Sequence, residues 1–182
     1  MTRIGLLASI TVAAVLSLSA CVPVLPATPR AVESAQEDTP PVDFKAMVEL
    51  ADELLLDYWA AVEEVYESEG ADSDALSRVA VPETVLEERA VARSHAEKGI
   101  TVVPRYSAHA TQFEQLFAHD GKLYLVVTTC IDSSNVRIVD DSGNERFLDA
   151  PIQVNEVTIE AGDMAFGELR VARWGILKGA EC

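Results

Sequence analysis

The sequence predicts an α+β domain in which a long N-terminal helix and two shorter helices pack on a strongly bent antiparallel sheet. Three observations predict it. Apolar residues from Phe44 to Tyr66 recur at three- and four-residue steps; from Ile100 onward the pattern becomes that of strands separated by turn residues; and two of those strands change face midway. About 140 residues, 43–182, carry these signals, enough for one domain with a real core.

The first helix is expected over Phe44 to Tyr66, where Met47, Ala51, Leu54, Leu55, Tyr58, Val62 and Val65 form a broad apolar stripe. Asp43 is a suitable N-cap and Gly70 a suitable stop, which gives about 25 residues and roughly 38 Å. Asp72-Ser73-Asp74 then opens a short helical turn through Val79. Pro82 suits the first position of a third helix, with Glu83, Glu87 and Glu88 near its positive end and Lys98-Gly99 closing it. Its apolar content is modest, so half of it should be exposed.

Asp120-Gly121 lies between two β-rich runs, a strong hairpin signal, and Leu123 to Ile131 is apolar on both faces, as a central strand is. Further turns at Asp140 to Asn144 and Ala161-Gly162-Asp163 bound strands near Asn135 to Val139, Glu145 to Leu148, Ile152 to Glu160 and Ala165 to Leu177. In the last two, Ile152 and Val154 are out of phase with Val157 and Ile159, and Leu169 and Val171 with Trp174 and Ile176. One extra residue in each restores the alternation, so a β-bulge is expected in both.

Ahead of the domain, Met1-Thr2-Arg3 precedes an uncharged apolar run, Ile4 to Leu18, which is short for a span of about 20 residues but suits a signal-peptide core. The run ends in Leu18-Ser19-Ala20-Cys21, which resembles the lipobox of bacterial lipoproteins. That resemblance implies diacylglycerol on the Cys21 thiol and cleavage after Ala20, so that residues 1–20 are a signal peptide and Cys21 the first mature residue. An uncleaved anchor and an ordinary secretory signal with a chance cysteine are the alternatives. Two acyl chains are what stable anchoring requires. Residues 21–42 hold five of the eight prolines and no periodicity; at about 3.1 Å per residue they read as a tether of up to roughly 60 Å.

Lipidation of Cys21 leaves Cys130 and Cys182 as an even pair in a compartment that permits disulfides. A bridge is expected, with two separate free thiols as the alternative. The formal net charge of −16, one unit more negative once Arg3 is removed, makes nucleic acid an unsuitable partner and an anionic bilayer repulsive to the domain. The acidic residues are spread along the chain, which mostly signals solubility.

The helix-then-sheet order is similar to the NTF2-like superfamily, the cone-shaped fold that includes SnoaL-like and ketosteroid-isomerase-like domains. More narrowly, "YWAAVEEVYESEGADSDAL", "VTTCIDSSNVRIVDDSGN" and "RWGILKGAEC" resemble NTF2-like lipoproteins of actinobacteria, in which a mid-sheet cysteine often accompanies one near the C-terminus. The resemblance implies a cavity between the long helix and the concave face of the sheet. It implies no activity, because this fold hosts many functions.

An isomerase of this fold needs a carboxylate base and acidic donors aimed at a carbonyl oxygen. Asp132, Tyr58 and Tyr106 are candidates, with His109 as a second base, although Asp132 shares a strand face with Cys130. Trp59 and Trp174 are candidates for the cavity wall or for plain helix-on-sheet packing. His95, His109 and His119 are scattered and the cysteines lack ligand spacing, so no metal site and no cofactor is expected; nor is there a nucleophile elbow or a phosphate loop. The expectation is a membrane-anchored extracytoplasmic lipoprotein with a non-catalytic binding module for a small apolar ligand. The rivals are a protein-interaction subunit of a cell-envelope complex and an isomerase or dehydratase.

Overall fold

The computed structural model describes residues 43–148, 151–162 and 167–182. The chain divides into two units, Met1–Pro40 and Pro41–Cys182, and the second holds all the helices and strands described below. The signal-peptide, lipidation and tether expectations at residues 1–42 lie outside the described residues, as does the start of the last predicted strand at Ala165.

Helix α1 spans Phe44–Glu67, and the Asp43 carboxylate caps it by accepting from the backbone N–H groups of Lys45 and Ala46 at 3.1 Å. Its stripe buries Met47, Ala51, Leu55, Tyr58, Val62 and Val65. The chain leaves α1 through Gly70 at φ +76°, whose N–H returns to the Val65 carbonyl. A Cβ here would sit 2.7 Å from the Arg89 carbonyl oxygen, so glycine is needed both for the turn and for the close approach of the third helix.

Helix α2 (Leu76–Val79) is one turn long, and α3 (Pro82–Glu97) starts with proline at its first position. Only Thr84, Val85, Glu88 and Ala92 of α3 are buried, so the helix is half exposed as its composition suggests.

Among the described residues, seven strands come after the helices: β1 (Thr101–Val103), β2 (Ser107–His119), β3 (Lys122–Asp132), β4 (Arg137–Val139), β5 (Glu145–Phe147), β6 (Ile152–Ala161) and β7 (Leu169–Ile176). The large sheet is antiparallel in the order β2-β3-β6-β7, and β1-β4-β5 form a small second sheet. Asp120 and Gly121 turn the β2–β3 hairpin with φ of +49° and +76°, the geometry that an Asp-Gly pair favours. β3 is central, with β2 and β6 on its two sides. Leu125, Val127, Ile131, Val157, Ile159 and Val171 face α1 and close the core. This is an α+β arrangement, a long N-terminal helix packed on one face of an antiparallel sheet, consistent with the cone expected from the sequence.

Irregular pairing in the large sheet involves its edge strands. β2 carries two irregularities, between His109 and Gln112 and between Phe113 and Gln115; β7 carries one, where Ile159 pairs with Val171 but Thr158 pairs with Arg173, leaving Ala172 as the extra residue. That bulge is the one expected between Val171 and Trp174. The one expected in β6 is absent: β6 pairs with β3 without interruption from Ile152 to Ala161. Regular alternation instead turns Val154 outward, in register with Cys130, and turns Gln153 and Asn155 toward the helix side. The phase break in the sequence thus reflects polar residues placed inside rather than an inserted residue.

Cys130 and Cys182 are joined by a disulfide, with Cα atoms 5.8 Å apart at a sequence separation of 52. Cys130 is out of phase with the core residues Val127 and Ile131, so the bridge lies on the outer face of the sheet and ties the C-terminus there. In the chain-entropy account, closing a loop of this length stabilises the fold by about 4 kcal/mol. Cys130→Ser paired with Cys182→Ser is therefore expected to lower the unfolding free energy by about 2–4 kcal/mol, measured by denaturant titration; an unchanged midpoint would refute the contribution.

Candidate functional site

Helical and strand phases bring one set of side chains to the wide end of the core. On α1, Trp59, Val62 and Tyr66 succeed one another around the inner stripe, with Tyr58 behind them. On α3, Thr84, Glu88 and Ala92 fall on one face at four-residue spacing, and that face is the buried one. Glu88 is therefore carried inward, while Glu83 and Glu87 stay exposed near the helix start. Of the three glutamates expected near the positive end of the helix, only Glu83 lies in its first turn, and Glu88 is turned into the core.

Glu88 is 7% exposed, and its Oε1 accepts two hydrogen bonds, from the Tyr58 hydroxyl at 2.9 Å and from the Trp174 indole N–H at 2.9 Å. Trp174 reaches it because the Ala172 bulge resets the phase of β7. The bulge is itself held by α3: the Thr84 hydroxyl donates to the Ala172 carbonyl at 2.7 Å. Two side chains one turn apart on α3 thus set both the backbone phase and the indole orientation of β7.

Beside this network lies a cavity of about 150 Å³, walled by Trp59, Tyr66, Tyr106 and Trp174, with Glu88 and Asn155 as its main polar groups. An engineered apolar cavity of about this size accommodates benzene, so a single ring is the natural scale of an occupant. The aromatic groups are locked against one another, with Trp59 at 4.8 Å from Tyr106 and 5.3 Å from Trp174 between ring centroids. Tyr106 is held by its backbone N–H, which donates to Glu63 at 2.8 Å, and the neighbouring Arg105 pairs with the same carboxylate.

Two residues of the lining each carry a fully buried polar atom without a hydrogen-bond partner, the Trp59 indole nitrogen and Asn155 Oδ1; His95 Nδ1, outside this lining, is another among the described residues. The orientation of Asn155 is settled by its amide nitrogen, which donates to the Gln153 carbonyl at 3.2 Å; a flipped side chain would set oxygen against oxygen there. Unmatched buried polar atoms cost about 1–3 kcal/mol each.

Of the residues singled out in the sequence, Trp59, Tyr106 and Trp174 wall this cavity, and Tyr58 stands behind it, bonded to Glu88. Asp132 and His109 are elsewhere. Both lie on the outer face of the sheet, His109 directly opposite Cys130, and Asp132 accepts from the backbone N–H of Ser134 at 2.8 Å. Strand alternation is the reason: residues two apart share a face, and Cys130 fixes that face as the outer one. Their expected place in the cavity is thus corrected. Sequence reasoning missed Glu88 and Asn155, although the helical phase of Glu88 with Thr84 and Ala92, and the break in phase at Asn155, were signals of both.

The Tyr58 hydroxyl and the Trp174 N–H point at a protein carboxylate, so neither is directed at a substrate oxygen as an oxyanion stabiliser must be. Among the described residues, no group of three or more His, Cys, Asp or Glu side chains is placed to hold a metal ion.

No family model matches the chain, and no curated protein matches it. Among solved structures, the crystal structure of the intermembrane space region of the chloroplast protein ARC6 is similar at a TM-score of 0.48 and 11% identity, over 76% of this chain and 98% of that one.

The site makes two measurable statements. Tyr58→Phe removes a buried hydrogen bond to a carboxylate and should lower the unfolding free energy by about 1.5–3 kcal/mol in denaturant titration; a change below about 0.5 kcal/mol would remove Glu88–Tyr58 from the account of stability. The phenols give the second. Burial first, and the adjacent Glu88 charge second, raise Tyr58, Tyr66 and Tyr106 above the ordinary value of 10.0, Tyr106 to about 12. Their folded-state values lie above the unfolded ones, so the stability they lend is full below pH 10 and is lost as pH rises through the folded values. Ultraviolet titration of the folded chain should find these three phenols protonated at pH 10; half-ionisation there would contradict the buried network.

Proposed function

We propose that the protein is a lipid-anchored, extracytoplasmic binding module of the NTF2-like lipoprotein kind, in which the cone cavity receives a small ligand with an apolar, ring-sized body. The observation that carries this reading is the cavity itself, about 150 Å³ walled by four aromatic rings, with the buried Glu88 carboxylate in its lining. A concave, mostly aromatic space with a few convergent polar groups is the usual form of a small-ligand site.

The N-terminus supports the location. An uncharged run ending in Leu18-Ser19-Ala20-Cys21, followed by a proline-rich segment, provides an export signal, a lipidation point and a spacer. The Cys130–Cys182 disulfide accords with an oxidising compartment. Among the described residues no helix is long and apolar enough to cross a membrane.

Mass spectrometry of the full chain, expressed with export, tests both parts. The expected product begins at a diacylated Cys21 and carries, under native conditions, a reproducible extra mass of ring size that is lost on denaturation. A chain retaining Met1, or starting at an unmodified residue, would overturn the anchor. An apo mass from every host would overturn the binding module.

A further inference from the structure

We propose that the cavity is a receptor for a small organic cation, an ammonium or amidinium group on a ring-sized body; this rests on the binding-module reading and names its ligand class. The chemistry of the wall is the starting point. Four aromatic rings, from Trp59, Tyr66, Tyr106 and Trp174, surround a carboxylate, and no lysine or arginine lines the cavity. Aromatic faces carry negative quadrupole potential, and a cage of them beside a carboxylate is attractive to cations and hostile to anions.

Glu88 supplies the second line of argument. It is 7% exposed, yet the bonds it accepts come from two neutral donors, Tyr58 and Trp174. Among the described residues no Lys, Arg or His forms an ion pair with it; the pairs that exist lie elsewhere. A carboxylate removed from water without a cationic partner is expensive to hold. Both donors engage Oε1, so an incoming N–H group has the other oxygen to address.

Asn155 lines the same cavity, and the bond from its amide nitrogen to the Gln153 carbonyl fixes the orientation of the side chain. An anionic ligand would meet repulsion from Glu88. The cavity volume limits the body to about one ring, and the net charge of −16 raises the local concentration of cations around the domain.

Three near-isosteric probes separate the ligand classes: benzylamine as the cation, benzyl alcohol as its neutral counterpart and benzoate as the anion. Each is titrated by calorimetry into the full exported chain, with tryptophan fluorescence as a second signal because both indoles wall the cavity. Benzylamine is expected to bind at least about tenfold more tightly than benzyl alcohol, with benzoate weakest, and Glu88→Gln to bring the first two within about twofold of each other. Equal affinity for benzylamine and benzyl alcohol, or a preference for benzoate, would overturn the cation class while leaving the cavity a ligand site. Failure of all three to bind would overturn the class and the binding module together. The comparison on the unaltered chain decides the matter even if Glu88→Gln does not fold.

Discussion

A single buried carboxylate oxygen joins three elements of this domain. Glu88 Oε1 takes the Tyr58 hydroxyl from α1 and the Trp174 indole from β7, while Glu88 itself belongs to α3. The arrangement depends on a second contact one helical turn earlier, where Thr84 holds the Ala172 carbonyl and so fixes the bulge that turns Trp174 inward. Remove that bulge and Trp174 and Ile176 would point to the outer face, with Arg173 in their place on the inner one. The aromatic wall, the buried charge and the shape of the sheet edge are therefore one construction, held by two polar residues of an otherwise half-exposed helix.

The parts that were legible in the sequence come from local rules acting in agreement. The apolar period of α1, the Asp43 cap, Pro82 at the start of α3 and the Asp120-Gly121 turn each determine an element through backbone chemistry, and tertiary packing does not override them. The bulge in β7 was legible for the same reason, since Val171 and Trp174 both had to be inside. The error in β6 has the opposite origin. Alternation arguments assume that the inner face is apolar, and Gln153 and Asn155 violate that assumption at the cavity. Glu88 escaped similarly: a charged residue near a helix start has an ordinary explanation, and only its phase with Thr84 and Ala92 distinguishes it from Glu87. Local consistency fails where the structure gives up stability for a site.

The two faces of the large sheet carry different tasks. The inner face packs α1 and ends in the aromatic cavity; the outer face bears the Cys130–Cys182 bridge, with His109 and Val154 flanking Cys130 on the neighbouring strands. Asp132 shares that outer face, where it accepts from the backbone N–H of Ser134 in the turn after β3. Covalent restraint thus lies on the face opposite the cavity, behind the strand segments that carry Ile131, Gln153 and Asn155, while the aromatic wall is positioned by hydrogen bonds and ring contacts.

The edges of the sheet have a further consequence for how copies of this chain behave toward one another. On one side, β2 is irregular at two places along its length, so it offers no long straight run of free amides. On the other, the backbone of β7 is already engaged: Val81 N–H reaches the Val171 carbonyl at 3.0 Å, Ala80 pairs with Val171 as a short parallel bridge, and Thr84 takes the carbonyl of Ala172. Both margins are thus interrupted along part of their length, which hinders continuation of the large sheet from one molecule into the next. Where copies of the chain meet, such engaged backbone favours contact through side-chain surfaces over extension of the sheet.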